Sequence, residues 1–184
     1  IVKNYVMNYT NIYWTNQYEN EYVWKAYYSL GEELRDEMEQ IDYLFVAVST
    51  CGTLAGISQK IKEYFPNCRI IAVDIVGSQI FEQSTRKKHV SGIGAGILPS
   101  NLLSAKYDDY MIIEEVDAIS ECNKLLSKGI IVGASSGAVA YAIQTYTGYL
   151  NDLEHKKIVA IFPDRGERYL DTIYDKEWVN KIQQ

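Results

Sequence analysis

The feature that most constrains the fold of this chain is an alternation of strand-length apolar runs with segments of helical periodicity. Residues 43–48 and 69–74 are apolar runs, and between them, over 53–64, apolar residues recur at helical spacing. Residues 110–114 and 157–162 are two further runs of this kind. Strands that are apolar throughout and alternate with amphipathic helices are typical of a parallel sheet covered on both faces. The sequence therefore predicts an α/β fold with a doubly wound, mainly parallel sheet.

The rest of the chain is predicted as helices and loops around that sheet. We expect an irregular lead-in, rich in Tyr, Trp and Asn, followed by helices over 21–40, 117–128 and 136–146. A segment punctuated by glycines, 77–101, is expected to be irregular. In doubly wound sheets, ligands bind beyond the carboxyl ends of the strands, so the loops that follow the strands are where chemistry is expected.

The composition excludes several classes of partner. The 184 residues carry 18 Lys and Arg against 24 Asp and Glu, a formal net charge of −6. This acidic balance argues against nucleic acids and anionic membranes as partners. No apolar run approaches the roughly 18 residues of a membrane-spanning helix. The three cysteines, Cys51, Cys68 and Cys122, are scattered and predict neither a disulfide framework nor a metal knuckle, which indicates a reducing, cytoplasmic environment.

The most informative local motif is the loop that follows the first predicted strand. It is made of small residues and leads directly into a helix: Ser49, Thr50, Cys51, Gly52 and Thr53. Backbone N–H groups at a helix N-terminus, with the helix dipole behind them, form a site for a phosphate group, and the hydroxyl groups can add donors. The alternative is a plain turn in which Thr50 or Thr53 caps the helix. The loop is neither a Walker A loop nor a G-x-G-x-x-G motif, because the required Gly and Lys residues are absent.

Asp74 supports a competing hypothesis. It ends the second predicted strand about twenty residues after the loop, the spacing expected of the acid that binds ribose in a dinucleotide-binding fold. This keeps a nicotinamide- or nucleotide-binding domain open as an alternative. Because the glycine motif is absent, we interpret Asp74 as a surface acid at a strand end.

Three later segments lie where loops that contact a ligand are expected. Residues 92–96, Gly-Ile-Gly-Ala-Gly, allow close approach of the backbone to a ligand, or else form a mobile surface loop. Residues 133–138 place two serines between glycines before a helix, although one serine could simply cap that helix. Residues 163–169 follow the last strand and could instead form a salt-bridged turn. His89 and His155 have no partner at a metal-ligand spacing, so no metal site is predicted.

Taken in order, these motifs resemble the C-terminal domain of the fold-type II pyridoxal-phosphate enzymes, the cysteine synthase and cystathionine β-synthase family. The resemblance implies that residues 49–53 bind the phosphate of pyridoxal 5′-phosphate and that Ser135 bonds its pyridine nitrogen. It also implies that residues 163–170 match a P-x-x-G-E-R-Y-L segment. The residues implied to contact substrate are Gln17, which would meet the substrate carboxylate, and Gly92, Ile93, Gly94 and Ala95.

The resemblance also implies a reaction. The family carries out β-replacement: elimination from an activated serine, O-phosphoserine or O-acetylserine, gives an aminoacrylate to which an amine or a thiol adds. Residues 13–18, 72–78 and 162–171 are more similar to the branch of the family that joins O-phosphoserine to L-glutamate for 2,3-diaminopropionate and siderophore precursors. The alternatives are a cysteine synthase that uses sulfide and, from another class, a nucleotide-binding or non-catalytic α/β module.

The departures from the family pattern are equally informative. Thr50 and Cys51 stand where cysteine synthases have two glycines, and we expect Cys51 to be a poor nucleophile. The Schiff-base lysine and the Ser/Thr-Gly-Asn loop of the family have no counterpart in this sequence. We therefore expect the C-terminal portion of an enzyme, with no catalytic residue of its own and no activity alone. Residues 1–40 would join a missing N-terminal part, and residues 41–184 would form the cofactor-binding domain. The full-length protein is expected to be a cytoplasmic homodimer that acts on amino acids.

Overall fold

A four-stranded parallel sheet organises the described part of the chain, as the apolar runs predict. The computed structural model describes residues 2–82, 86–148 and 153–183. The strands are β1 (Tyr43–Ala47), β2 (Arg69–Ile75), β3 (Asp109–Ile113) and β4 (Ile158–Ala160), in the order β3-β2-β1-β4. Every pairing between these strands is parallel, which confirms the predicted fold class.

Helices connect the strands. In the described ranges they are α1 (Val2–Asn8), α2 (Glu21–Lys25), α3 (Tyr28–Glu37), α4 (Gly52–Tyr64), α5 (Glu115–Ser127), α6 (Ala134–Thr147) and α7 (Lys176–Ile182). Two short 3₁₀ turns lie at Ser100–Ser104 and Gly166–Tyr169. None of these helices is long and apolar enough to cross a membrane.

Each face of the sheet buries its own apolar cluster. Phe45 of β1 belongs to the cluster that α5 and α6 cover, whereas its neighbours Leu44 and Val46 belong to the cluster that α4 covers. Side chains of a strand alternate between faces, so an uninterrupted apolar strand requires helices on both sides. This is the doubly wound arrangement that the sequence predicts.

The helix predicted over 21–40 is in fact two helices. α2 begins after Asn20, whose side chain accepts the Tyr22 N–H, and it ends before α3 starts at Tyr28. The break lets both pieces lie directly on α4. A Cβ atom added to Gly56 would lie 2.1 Å from the carbonyl oxygen of Trp24, and one added to Gly31 would lie 2.5 Å from Lys60 Cβ. The lead-in, predicted to be irregular, also contains the short helix α1.

The strand order brings the predicted loops to one edge of the sheet. Phe45 of β1 pairs with Ala160 of β4, so the loops after these two strands leave the sheet side by side. An antiparallel bridge between Val132 and Arg165 then brings the start of α6 next to the loop after β4. The division of the chain into 1–40 and 41–184 remains a prediction.

Candidate functional site

The loop after β1 presents a row of backbone N–H groups at the start of α4. Cys51, immediately before the helix, has a left-handed backbone conformation with φ of 60°. Within the described part of the chain, the N–H groups of Cys51, Gly52 and Thr53 donate to no acceptor, and no side chain caps the helix. Unsatisfied donors and the positive end of the helix dipole favour an anion at this position. The loop therefore has the local structure of a phosphate site.

A small cavity lies directly against this loop. Its volume is about 120 Å³, and its walls come from the loop 49–53, from Gly92, and from Ile161 and Pro163 after β4. Three segments that are far apart in the sequence thus meet at the carboxyl edge of the sheet, where a ligand is expected in such folds.

Two hydrogen bonds join the glycine segment 92–96 to the start of the loop after β1. The Gly94 N–H donates to Val48 O at 2.7 Å, and the Ser49 hydroxyl donates to Gly94 O at 3.1 Å. The Ser49 proton is therefore already used, which leaves Thr50 and Thr53 as the hydroxyl donors for an anion. Gly94 has φ of 71°, and a Cβ atom there would lie 2.9 Å from Ile75 Cγ2. Only glycine fits this turn without strain.

The residues of this segment have different positions relative to the cavity. Gly92 lines the cavity, whereas Ile93, Gly94 and Ala95 are buried behind it. The Ala95 N–H donates to Ser78 Oγ at 3.1 Å, so this N–H group is not available to a ligand. Of the four predicted substrate contacts in this segment, the structure places Gly92 at the cavity wall.

Ser135 belongs to a separate polar group on the same edge. Its hydroxyl donates to Asp164 Oδ1 at 3.4 Å, and the Tyr169 hydroxyl donates to Asp164 Oδ2 at 2.5 Å. A Cβ atom on Gly133 would lie 2.4 Å from both carboxylate oxygens, so glycine is needed for Asp164 to approach. Gly92 links this group to the cavity, because a Cβ atom on it would lie 3.6 Å from the Tyr169 hydroxyl.

Asp164 was not predicted as a site residue. The sequence shows it only within a turn after the last strand, and nothing in that turn indicates contact with Ser135. Ser135 and the neighbouring Ser136 are both buried, but the Ser136 hydroxyl has no partner in the described residues.

Gln17 reaches the site through its backbone. Its side chain is exposed, and its carbonyl oxygen accepts a hydrogen bond at 2.8 Å from Asn101 Nδ2. The same amide nitrogen donates to Thr50 O at 3.0 Å. Asn101 therefore joins the predicted substrate-binding residue to the predicted phosphate loop. The sequence contains no pattern that singles Asn101 out.

Asp74 is not a surface acid. It is 1% exposed, because the chain after β2 folds back over it and the Gln79 N–H donates to Ala95 O at 2.7 Å. Burial raises its pKa to about 6, and the positive charge of Lys88 opposes this rise. Neither carboxylate oxygen has a partner in hydrogen-bonding geometry within the described residues. The interpretation of Asp74 as an exposed acid is therefore wrong.

The thiol of the cysteine in the loop is a weak nucleophile. Cys51 is buried, and burial, reinforced by the negative charge of Asp74, raises the pKa of its thiol to about 12. A thiol needs to ionise to act as a nucleophile. The structure thus gives the physical reason for the expectation that Cys51 is a poor nucleophile.

The histidine that lies in the described loop before residue 92 has a structural partner. His89 Nδ1 lies 2.9 Å from Glu115 Oε2, and Glu115 Oε1 accepts the N–H groups of His89 and Val90 at 2.6 and 2.7 Å. A cleft of about 420 Å³ beside them, lined also by Arg86 and Glu114, contains none of the predicted site residues. No group of His, Cys, Asp and Glu in the described ranges could hold a metal ion.

Comparison with known proteins gives a consistent assignment. The family model for a pyridoxal-phosphate dependent enzyme matches residues 1–164. The N-(2-amino-2-carboxyethyl)-L-glutamate synthase of Cupriavidus metallidurans is 38% identical over 174 residues, which are 92% of this chain and 51% of that protein. The chain therefore spans about half the length of this curated relative.

Solved structures agree. The O-acetylserine dependent cystathionine β-synthase of Helicobacter pylori superposes with a TM-score of 0.85 at 29% identity, over 94% of this chain and 57% of that one. A hydrogen sulfide-producing enzyme of Fusobacterium nucleatum superposes with a TM-score of 0.84 at 29% identity, over 96% of this chain and 55% of that one. Both relatives extend well beyond the matched region.

Proposed function

Because the chain belongs to the family of pyridoxal-phosphate dependent enzymes, we propose that it supplies the cofactor-phosphate half of a β-replacement synthase acting on an activated serine. We propose further that the serine derivative is O-phosphoserine and that the nucleophile is the amino group of L-glutamate. The product would serve the synthesis of 2,3-diaminopropionate and siderophore precursors. The support for glutamate is the name of the Cupriavidus relative and the 38% identity to it.

The observation that carries the proposal is the row of N–H groups at Cys51, Gly52 and Thr53, which donate to no acceptor among the described residues. A phosphate group accepts several hydrogen bonds at once, and a helix N-terminus adds a favourable field. The hydroxyl groups of Thr50 and Thr53 stand in the same loop, on the wall of the cavity. The residues present therefore fit the phosphate end of pyridoxal phosphate.

The remaining residues have roles that follow from their contacts. The bound cofactor supplies an electron sink for chemistry at the substrate carbons. Ser135 would face the pyridine nitrogen; its hydroxyl donates to Asp164 Oδ1 in this structure and would turn from it to donate to the ring nitrogen. A neutral hydroxyl, unlike a carboxylate, does not stabilise a proton on that nitrogen. The unprotonated ring is a weaker electron sink, which favours elimination over transamination. Gln17 would orient the substrate carboxylate, and Gly92 would leave space for the substrate above the cofactor.

The chain alone is expected to be inactive. The family's Schiff-base lysine and substrate-carboxylate loop have no counterpart among its residues, and a surface lysine cannot supply the proximity that such chemistry needs. We expect the complete gene product that contains these residues to be a cytoplasmic homodimer with both elements present. β-Replacement by the 184-residue chain alone, well above the rate of free pyridoxal phosphate, would contradict this part of the proposal.

The experiment that tests the proposal uses the complete gene product. It is loaded with pyridoxal phosphate and given O-phosphoserine or O-acetylserine together with L-glutamate or sulfide, and the products are identified by mass spectrometry. We expect the glutamate adduct to form fastest from O-phosphoserine. Cysteine formed from sulfide, with no glutamate adduct, would instead identify a cysteine synthase. A protein that ignores pyridoxal phosphate and binds a nucleotide would overturn the proposal.

A further inference from the structure

Asn101 occupies an unusual position between two parts of the site. It lies in the 3₁₀ turn Ser100–Ser104, and only 2% of its surface is exposed. Its Nδ2 atom donates to Gln17 O at 2.8 Å and to Thr50 O at 3.0 Å. These two carbonyl groups belong to segments 33 residues apart along the chain.

The same turn holds the Gln17 segment at a second point. Ser100 Oγ donates to Tyr18 O at 3.0 Å, and the Asn101 N–H donates to the same oxygen at 3.4 Å. Two consecutive carbonyl groups of the lead-in are therefore fixed by two consecutive residues of the turn. The lead-in cannot move relative to the loop without breaking these bonds.

The chemistry of the bridge requires asparagine. A primary amide carries two N–H donors, and both partners of Asn101 are carbonyl oxygens that can only accept. An aspartate of the same shape would place its oxygen atoms against those carbonyls, and an alanine would leave both of them unpaired. Both hydrogen bonds are partly buried, and loss of a partner for a carbonyl group shielded from water is costly, so the position is sensitive to either change.

The bond to Thr50 also fixes the loop's donors. The described peptide bonds are all trans, so the C=O of Thr50 and the N–H of Cys51 point to opposite sides of one planar group. When Asn101 holds the C=O on its own side, the Cys51 N–H is held facing away from Asn101. Cys51 is in a left-handed conformation with φ of 60°, which a non-glycine residue adopts rarely, and this external hydrogen bond helps to maintain it.

We propose that Asn101 is a positioning residue that orients the phosphate-binding N–H groups and ties them to the Gln17 segment. The inference rests on the proposed function, because it takes the loop as the phosphate site and Gln17 as the contact for the substrate carboxylate. Phosphate bound at the loop would then favour the geometry that amino-acid binding at the Gln17 segment needs, and the reverse also holds. This is a coupling between two parts of one site.

The test compares two pyridoxine compounds that lack the aldehyde group and so form no adduct with lysine. The affinities of the 184-residue chain for pyridoxine 5′-phosphate and for pyridoxine are measured by calorimetry, and their ratio is the phosphate preference. We expect Asn101→Ala and Asn101→Asp to lower this preference at least tenfold while the affinity for pyridoxine changes little. Asn101→Asp retains the side-chain shape and serves if Asn101→Ala fails to fold.

An exposed asparagine that makes the same kind of bridge serves as a control for general stability. Asn123 also bridges two carbonyl groups through Nδ2, those of Ile119 at 3.0 Å and Ile173 at 3.3 Å. Asn123→Ala is expected to lower the melting temperature and leave the phosphate preference unchanged. Ser100→Ala removes the shorter of the two hydrogen bonds to the Tyr18 carbonyl and leaves both bonds of the Asn101 side chain in place. In the complete gene product, we therefore expect Ser100→Ala to weaken amino-acid binding alone, whereas Asn101→Ala weakens amino-acid and phosphate binding together.

The outcomes distinguish failure of the proposed function from failure of the role assigned to Asn101. A wild-type chain with no preference for the phosphorylated compound would contradict the proposed function itself. A wild-type chain with that preference, together with folded Asn101 variants that retain it, would overturn the role of Asn101 alone. Equal losses of phosphate preference in the Asn101 and Asn123 variants would reduce Asn101 to a purely structural residue.

Discussion

The hydroxyl of Ser135 lies 3.4 Å from a carboxylate oxygen of Asp164, which accepts its hydrogen bond. The adjacent Ser136 hydroxyl is buried with no partner in the described part of the chain. Two neighbouring serines of one motif are therefore in opposite chemical situations. Ser135 is the serine proposed to face the cofactor ring, and Ser136 supplies a control at the next residue.

The two serines are expected to respond oppositely to alanine. Ser135→Ala removes the hydroxyl proposed to face the cofactor ring, so β-replacement by the complete gene product should fall while the fold is retained. Ser136→Ala removes an unsatisfied buried hydroxyl and should raise the free energy of unfolding by about 1 kcal/mol. Turnover and urea denaturation check both results. Loss of activity in Ser136→Ala, but not in Ser135→Ala, would place the functional serine one residue later.

A carboxylate at position 135 should be poorly tolerated because of Asp164. Ser135→Asp would bring a second carboxyl group close to that of Asp164, and like charges disfavour joint ionisation. We expect the variant to lose stability as the pH rises from 5 to 8, relative to wild type. The double variant Ser135→Asp, Asp164→Asn removes the repulsion and should lose this pH dependence. Parallel stability curves for the single and double variants would contradict the contact between these two residues.

The buried Asp74 should make stability depend on pH. Its folded-state pKa is about 6, above the roughly 3.9 of an unfolded aspartate, so the folded state binds the proton more tightly. Stability from this group is greatest below pH 4, falls as the pH rises through 6, and is constant above that range, a loss of up to about 3 kcal/mol. Asp74→Asn should flatten this part of the curve, which denaturation at pH 4.5 and 8 measures. The exposed Asp171→Asn is the control, and an equal effect there would rule out burial as the cause.

The fold class could be predicted because it depends on contiguous sequence, since apolar runs specify buried strands. The turn of small residues between β1 and α4 could be predicted for the same reason, and its binding of phosphate stays a prediction. The contacts of Asn101 and Asp164 could not be predicted, because each depends on partners brought together only by the fold. The burial of Asp74 was missed for the same reason, since the loop that covers it carries no local pattern. The break between α2 and α3 lies against Gly56, a packing contact that the local sequence does not indicate.

The three cysteines should be unreactive in the folded chain. Burial raises the pKa of each thiol, Cys51, Cys68 and Cys122, to about 12. At pH 8 only about one thiol in ten thousand is then ionised, and the thiolate is the reactive form. Iodoacetamide at pH 8 should modify them only after denaturation, as mass spectrometry would show. Rapid modification of one cysteine in the native chain would contradict its burial.

Substitutions in the phosphate loop should affect cofactor binding in a defined order. Thr53→Ala deletes one hydroxyl and should cost about 1.5–3 kcal/mol of affinity for pyridoxal phosphate, the range for a hydrogen bond to a charged group. Gly52→Val should do more harm, because the first atom of its side chain would lie 2.8 Å from Val23 Cγ1 and displace the helix start. Thr50→Asp should be worst, because it opposes the phosphate charge. Thr147→Ala, in the last turn of α6, is the control. Equal affinities across the loop variants would reduce the loop to a connecting turn.

The most direct test of the account is whether the chain recognises the phosphate group itself. Calorimetry of the 184-residue chain with pyridoxine 5′-phosphate and with pyridoxine measures this, since the two compounds differ only in that group. We predict that the phosphorylated compound binds at least tenfold more tightly and that Thr50→Asp abolishes the difference. Equal binding of the two compounds by the folded wild-type chain would contradict the assignment of residues 49–53 as the cofactor-phosphate site.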